Sequence, residues 1–415
     1  MTNSDSSNPV RLVRRGLLLG AAAASLAPLT GRHARAQSTA APLKIGVLGD
    51  FSGPYSGISG IGSVTAAGFA IADVGGKVLG RPVEVVTADH QNKADVGLGV
   101  VREWFGPSNV SLVIDVANSG IALGMQPLLS QFHRIALYTT VGNPLLMGSA
   151  CSPLSVVWAL DTWASTVVPV RALLKQGKTS FFLIAADYVF GKTLETDAAA
   201  AIAAGGGTVR GTVRHPLGAS DFSSYLLLAQ ASGAEVVMLL NGGQDFVSSF
   251  KQAAEFRIPQ KQAVVAPVVF LSDVHALGLE LAQGLQFAAA WYWDQSDATR
   301  AWAKRYFAER GSMPNDTHAA AYSAVLQYLR AVERAGSDDP ERVMATLRAA
   351  TIDDVFVSGG HIRADGKLMF DRYLVRAKRP QDSHGPWDLL EVASTVAAQD
   401  AARPLAESAC PLVHS

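Results

Sequence analysis

Residues 43–62 read LKIGVLGDFSGPYSGISGIG. The run from Leu43 to Gly49 is short and nearly continuously apolar, the pattern of a strand covered on both faces. Gly49, Gly53, Pro54, Gly57 and Gly60 then break the chain into a long loop. A helix-like stretch, Ser63–Val74, follows. Strand, loop and helix in that order form the opening unit of an α/β domain. The loop falls at the carboxyl end of the strand, where open α/β sheets hold their ligands.

Upstream of this unit lies VRRGLLLGAAAASLAPLTGRHARAQ, residues 13–37. Arg14 and Arg15 start a basic segment, Leu17 to Leu29 is apolar, and Ala34-Arg35-Ala36 is a small-x-small cleavage site. These are the three parts of an export leader cut after Ala36. The apolar run is shorter than the roughly 20 residues a membrane span needs. The paired arginines resemble a twin-arginine signal, although Gly16 and Leu17 stand where that motif has a polar residue and then Phe. An ordinary secretory signal is the other reading. No cysteine adjoins the cleavage site, so a freely diffusing periplasmic protein is expected rather than a lipid-anchored one.

The leader carries five of the 35 basic residues and one of the 35 acidic ones, which leaves the rest at 30 against 34, a net charge of −4. That balance argues against nucleic acid or an anionic membrane surface as a partner. About 380 residues remain, too many for one compact core, so two domains are expected. The two cysteines, Cys151 and Cys410, are far apart. In an oxidising compartment they can form a disulfide that pins the C-terminal tail, 401–415, near residue 150. Two unrelated thiols are the alternative.

Strand-like runs recur at Lys44–Leu48, Val83–Ala88, Leu112–Val116, Ile135–Thr139, Ser180–Ala185, Thr208–Arg214, Val236–Leu240, Val268–Leu271 and Leu285–Ala290. Helix-like patterns fall between them, and three more follow, over 299–310, 317–334 and 340–350. The βαβα order predicts an α/β fold with parallel sheets. The rhythm pauses at 140–163 and again at 290–297. Two Rossmann-like lobes follow from this. The first takes 43–160 and 292–354, the second takes 164–290 and 355–400, and several crossings between them act as a hinge.

KIGVLGDFSGPYSG (44–57) and RPVEVVTADHQNKAD (81–95) resemble the type I periplasmic binding proteins of the leucine/isoleucine/valine class. So do AADYVFGKTLE (185–195), ASDFSSYLLLAQASGAEVVMLLNGGQDFVSSFKQAAEF (219–256) and GSDDPERVMATL (336–347). Relatives that share AWYWD (290–294), DVHALGLE (273–280) and ESACPL (407–412) are usually called simply substrate-binding proteins. The resemblance spans nearly all of the chain after the leader. It implies a monomeric, non-enzymatic receptor that closes its lobes on a small carboxylate-bearing solute and delivers it to an inner-membrane ABC permease, with no cofactor. A branched-chain or aromatic amino acid, or an aromatic acid, fits that description. A sensory protein of the same fold, responding to an amide or amino acid, is the second class of reading.

The candidate ligand residues sit at strand ends. Tyr55 projects from the first loop, where the family has a ligand-stacking aromatic. Ser119, in Ala117-Asn118-Ser119-Gly120, is placed to cap the following helix, and free amides there can hold an anion. The resemblance implies a Ser at this place on the ligand carboxylate. Thr140 and Asn143 come from the loop after Ile135–Thr139. The second lobe offers Tyr188, Asn241, Asp245 and Asp273, and the resemblance implies an acid near Asp273 on a ligand ammonium. Asp161 with Trp158 at the first crossing, and Tyr292 with Trp291 and Trp293 at the second, are the remaining candidates.

Other motifs lead nowhere. Gly60-Ile61-Gly62-Ser63-Val64-Thr65 lacks the third glycine of a dinucleotide fingerprint. GxSxG and HExxH do not occur. The nine histidines show no ligand spacing, so no metal site is expected.

Overall fold

A computed structural model describes residues 41–413; the leader expected over residues 1–36 lies outside the described residues. The opening stretch becomes β1 (Leu43–Gly49), whose Leu43, Ile45, Val47 and Leu48 are fully buried. It is followed by α1 (Ile61–Asp73). Next come β2 (Lys77–Val78), β3 (Arg81–Asp89), α2 (Ala94–Phe105), β4 (Val110–Asp115), α3 (Ser119–Phe132), β5 (Ile135–Tyr138) and β6 (Ser155–Val157). Their sheet has the order β2-β3-β1-β4-β5-β6 and is parallel except for the short β2. The strand order reverses around β1, so the loops after β1 and β4 flank a topological switch point.

A second series begins with α4 (Thr162–Lys175) and β7 (Ser180–Ala186), then α5 (Val189–Ala204), β8 (Thr208–His215), α6 (Ser223–Ala231), β9 (Val236–Leu240), α7 (Gly243–Glu255) and β10 (Ala263–Val265). Its sheet runs β10-β9-β7-β8, all parallel. Here the switch point lies at β7 and β9. Two short helices, α8 (Leu271–Leu277) and α9 (Leu279–Ala282), lead into β11 (Gln286–Ala289). After α10 (Asp297–Arg310), α11 (Asp316–Ala335) and α12 (Pro340–Ala349), the chain forms a small hairpin of β12 (His361–Ile362) and β13 (Leu368–Met369). It ends on β14 (Arg372–Ala377) and β15 (Leu390–Val396), which join β11 in an antiparallel sheet.

Helix α11 returns to the first series. It packs on α1 and buries Ala319, Ala320, Ala324 and Val325 completely, so residues after 290 complete the core begun at residue 43.

Two boundaries differ from the sequence reading. Val268–Leu271 is not a strand: residues 266–270 are irregular, and Leu271 opens α8. Val268, Val269 and Phe270 are apolar because they are buried between elements, while β10 fills the ladder position beside β9. Residues 355–400 also do not pack as one group. Phe356, Val357, Ile362, Leu368 and Phe370 join the core of the first sheet, and Val375, Leu389 and Leu390 join that of the second. The bridge between Val157 and Lys367 ties the β12–β13 hairpin to the edge of the first sheet.

Cys151 and Cys410 form a disulfide, with Cα atoms 5.6 Å apart. Beside it the Ser408 hydroxyl donates to Met147 O at 2.8 Å, so the tail is fixed to the loop after β5. Among the described residues, no helix is long and apolar enough to cross a membrane.

Candidate ligand-binding cleft

Two buried carboxylates shape the first wall of the cleft. Asp50, at the end of β1, accepts from the N–H groups of Gly53 (2.6 Å) and Tyr55 (2.9 Å) and from Asn92 Nδ2 (2.6 Å). This folds the Ser-Gly-Pro-Tyr segment back on itself and aims Tyr55 into the cleft. Asp115, at the end of β4, accepts from the Ser59 hydroxyl (2.9 Å), Gly60 N–H (2.8 Å) and the Thr140 hydroxyl (2.7 Å). It thereby locks the loops after β1 and β5 together. Burial pushes the Asp115 carboxyl up to about 6, against the opposing pull of those donors. Asp115 and Val116 both hold positive φ, 76° and 64°. That is a strained backbone for a β-branched residue, and it lies directly before the loop that carries Ser119.

The opposite wall comes from the second series: Tyr188 and Phe190 at the start of α5, and Val268 and Phe270 from the irregular segment. With Tyr55, Ile58, Ala117, Asn118, Ser119, Thr140, Val141 and Leu160 they enclose a cleft of about 350 Å³, solvent at its mouth included. The walls touch. The Tyr55 and Tyr188 hydroxyls lie 2.6 Å apart and satisfy each other. The Tyr55 ring meets Phe190 edge-on, with centroids 6.4 Å apart. Gln244 N–H donates to Pro54 O at 3.0 Å. Gly243, at φ 58°, sits where a Cβ would strike Pro54 O, so this approach requires glycine. Burial raises both tyrosine hydroxyls well above their ordinary range, so both stay protonated.

The residues expected from the sequence divide into two groups. Tyr55, Ser119, Thr140 and Tyr188 line the cleft together. Ser119 is not the helix cap, however. Asn118 is the cap, with its Oδ1 accepting from Gly120 N–H (2.9 Å) and Ile121 N–H (3.2 Å). Those amides are therefore spoken for, while Ser119, the first helical residue, borders the cleft. Thr140 already gives its proton to Asp115, so toward a ligand its oxygen acts as an acceptor.

The others do not line this cleft, although Asp273 borders an adjoining hollow that shares Tyr55 and Ile58 with it. Asn143 caps the turn at 144–147 and donates to the Thr193 hydroxyl at 3.1 Å. Asp161 caps α4 and pairs with buried Lys367. Burial pushes its carboxyl up, and the ammonium more than offsets this, leaving it below its usual value. Asn241 is fully buried and donates to His215 Nε2 and the Ser249 hydroxyl. Asp245 accepts from Gly218 N–H at 3.1 Å, with burial raising it to about 6. Asp273 accepts from Phe270 N–H at 2.9 Å, with burial raising it to about 7. Tyr292 accepts from Leu390 N–H, away from the cleft. Trp158, Trp291 and Trp293 donate to Ser323, Val355 O and Trp387 O, so they brace the core and do not sandwich a solute.

Phe190, Phe270, Ile58 and Asp115 were not singled out by sequence reasoning. The strand-like look of Leu112–Val116 hid Asp115, a charged residue inside an apolar run. That was the signal available. Among the described residues, no acidic side chain lines the cleft, and no group of His, Cys, Asp or Glu is arranged to hold a metal.

Residues 42–384 match the family described as periplasmic binding protein. A periplasmic binding protein from Burkholderia mallei is 43% identical, with a TM-score of 0.87 over 89% of this chain and 99% of that one. A branched chain amino acid ABC transporter periplasmic ligand-binding protein from Burkholderia xenovorans LB400 is 40% identical, with a TM-score of 0.78 over 89% and 100%. Leu/Ile/Val-binding protein homolog 6 of Brucella abortus (strain 2308) is 28% identical over 201 residues, 47% of this chain and 50% of the relative, so the chain spans about half the length of the curated relatives it matches. These similarities are to binding proteins and not to enzymes. With parallel α/β sheets, two switch points facing one cleft, and a match over most of its length, the chain belongs to the periplasmic binding protein family.

Proposed function

We propose that this protein is the periplasmic receptor of an ABC importer and captures an apolar, carboxylate-bearing solute that lacks an ammonium group. The observation that carries this is the lining of the cleft. Ser119, 2% exposed, has a hydroxyl with no hydrogen bond to another described residue, and it borders a cleft otherwise walled by Tyr55, Ile58, Tyr188, Phe190, Val268 and Phe270. A carboxylate accepts from that hydroxyl, and an aromatic or branched body packs on the rings. Asp245 and Asp273, the acids that would pair with an ammonium, are turned to backbone amides. An aromatic acid therefore suits the cleft better than an amino acid. A branched-chain amino acid is the second reading, supported by the 40% identity to the Burkholderia xenovorans protein.

In this mechanism two lobes, one on each parallel sheet, swing about the crossings near residues 160, 268–290 and 370. The Tyr55–Tyr188 contact and the Gln244–Pro54 bond form on closure, and the closed form engages the permease. Calorimetry with benzoate, 3-phenylpropanoate, phenylalanine and leucine tests the reading. The simple acids should bind more tightly than the matching amino acids. Ser119→Ala should weaken them about 10- to 150-fold, the range for a lost hydrogen bond to a charged group. Unchanged affinity in that variant, or tighter binding of the amino acids, would sink the assignment.

A further inference from the structure

A second cavity lies behind the crossings, on the far side of Leu160, Val268 and Phe270 from the cleft; these three residues line both spaces. It holds about 810 Å³, solvent at its mouth included, more than twice the cleft measured the same way. Residues from every crossing frame it, at 159–165, 267–270, 288–290 and 372–374. Its surface is mostly apolar, with Asp161, Asp316 and Arg372 as the charged residues of its lining.

Arg372 is the unusual element. Its guanidinium rests on the Phe370 ring, 4.2 Å from the centroid, and makes no hydrogen bond or ion pair with another described residue. The two nearest carboxylates, Asp161 and Asp316, act on it through their fields alone. Asp161 is already neutralised by Lys367. Asp316 has no cation of its own: Oδ2 accepts from Ala290 N–H at 3.1 Å and Oδ1 is buried without a partner. Arg372 and Asp316 therefore offset each other's charge, while the guanidinium keeps unused donors facing an apolar space. An anion entering there would lack a counter-charge, and burying an uncompensated charge is costly. A cation would meet Arg372. The donors call for a neutral acceptor on an apolar body.

We propose that this cavity is a second binding site, taking a small apolar molecule with a neutral carbonyl head, such as an aromatic or aliphatic amide, whose oxygen accepts from Arg372. Because the crossings frame the site, its occupant biases the angle between the lobes and so modulates capture at the cleft.

Calorimetric titration of the purified protein with benzamide and with benzoate tests this. Benzamide should bind saturably. Arg372→Met should weaken it at least tenfold. Ala288→Leu, which adds bulk at an exposed residue of the cavity wall without touching Arg372, should do the same. Ser119→Ala should leave benzamide binding unchanged, which separates this site from the cleft and its success or failure from that of the cleft assignment. No saturable benzamide binding, or binding lost in Ser119→Ala and kept in Ala288→Leu, would overturn the second site. Benzoate binding that is stronger than benzamide binding and depends on Arg372 would overturn the neutral head group.

Discussion

The contact between Tyr55 and Tyr188 makes a prediction with a distinctive sign. The two hydroxyls are 2.6 Å apart and join the loop after β1 to the start of α5, residues 133 apart in sequence. Tyr55 is 5% exposed, while Tyr188 is only half-buried. Replacing Tyr188 by Phe strands the buried Tyr55 hydroxyl. A buried polar group left without its partner costs about 1–3 kcal/mol. If the contact forms only on closure, that cost falls on the liganded state and weakens solute binding by about 5- to 150-fold. Replacing Tyr55 by Phe strands the Tyr188 hydroxyl in the same way, so a loss in the same range, about 5- to 150-fold, is expected. The double Phe variant strands nothing and should recover most of the affinity. The assay is the calorimetric Kd of the best carboxylate for all four proteins, read as a double-mutant cycle. Additive losses would refute the clasp, because two independent contacts give no recovery.

Lys367→Met should destabilise the fold by about 3–5 kcal/mol in urea unfolding, since it leaves Asp161 charged and buried, and adding Asp161→Asn should return much of that loss. Reducing the Cys151–Cys410 bond, which spans 259 residues, should lower stability by about 2–4 kcal/mol, seen as a lower Tm with reductant than without. Asp273 should make stability fall as pH rises. Its folded carboxyl titrates at about 7, above its usual 3.8, so the folded state holds the proton more tightly between those values. Unfolding measured from pH 4 to pH 7 should show a shallower decline in Asp273→Asn, and an identical profile would show that this carboxyl is not the source.

Much of the scaffold was legible because the inner strands β1, β4, β5, β7 and β9 are buried on two faces and read as nearly unbroken apolar runs. The same rule misled at Val268–Leu271, where burial between elements looks like a strand but pairs with nothing. In the cleft, position along the chain is enough to put Tyr55, Ser119, Thr140 and Tyr188 on its wall. Position is not enough for the acids. Whether Asp245 and Asp273 meet a ligand or their own backbone depends on the direction of one side chain, and an amide at Gly218 or Phe270 captures each of them. The cap at α3 fell one residue earlier than expected because Asn118 reaches two amides at once. Asp115 escaped notice because its partners, Ser59, Gly60 and Thr140, lie on two other loops.

The bond from Cys151 to Cys410 also bears on how the molecule is made. Cys410 follows Cys151 by 259 residues, so it is synthesised later. Until Cys410 follows, Cys151 is a thiol without its partner. A product cut short before residue 410 keeps that thiol for good, open to exchange with other thiols and disulfides. Closure of the bond thus requires that residue 410 has been made and brought to the loop after β5.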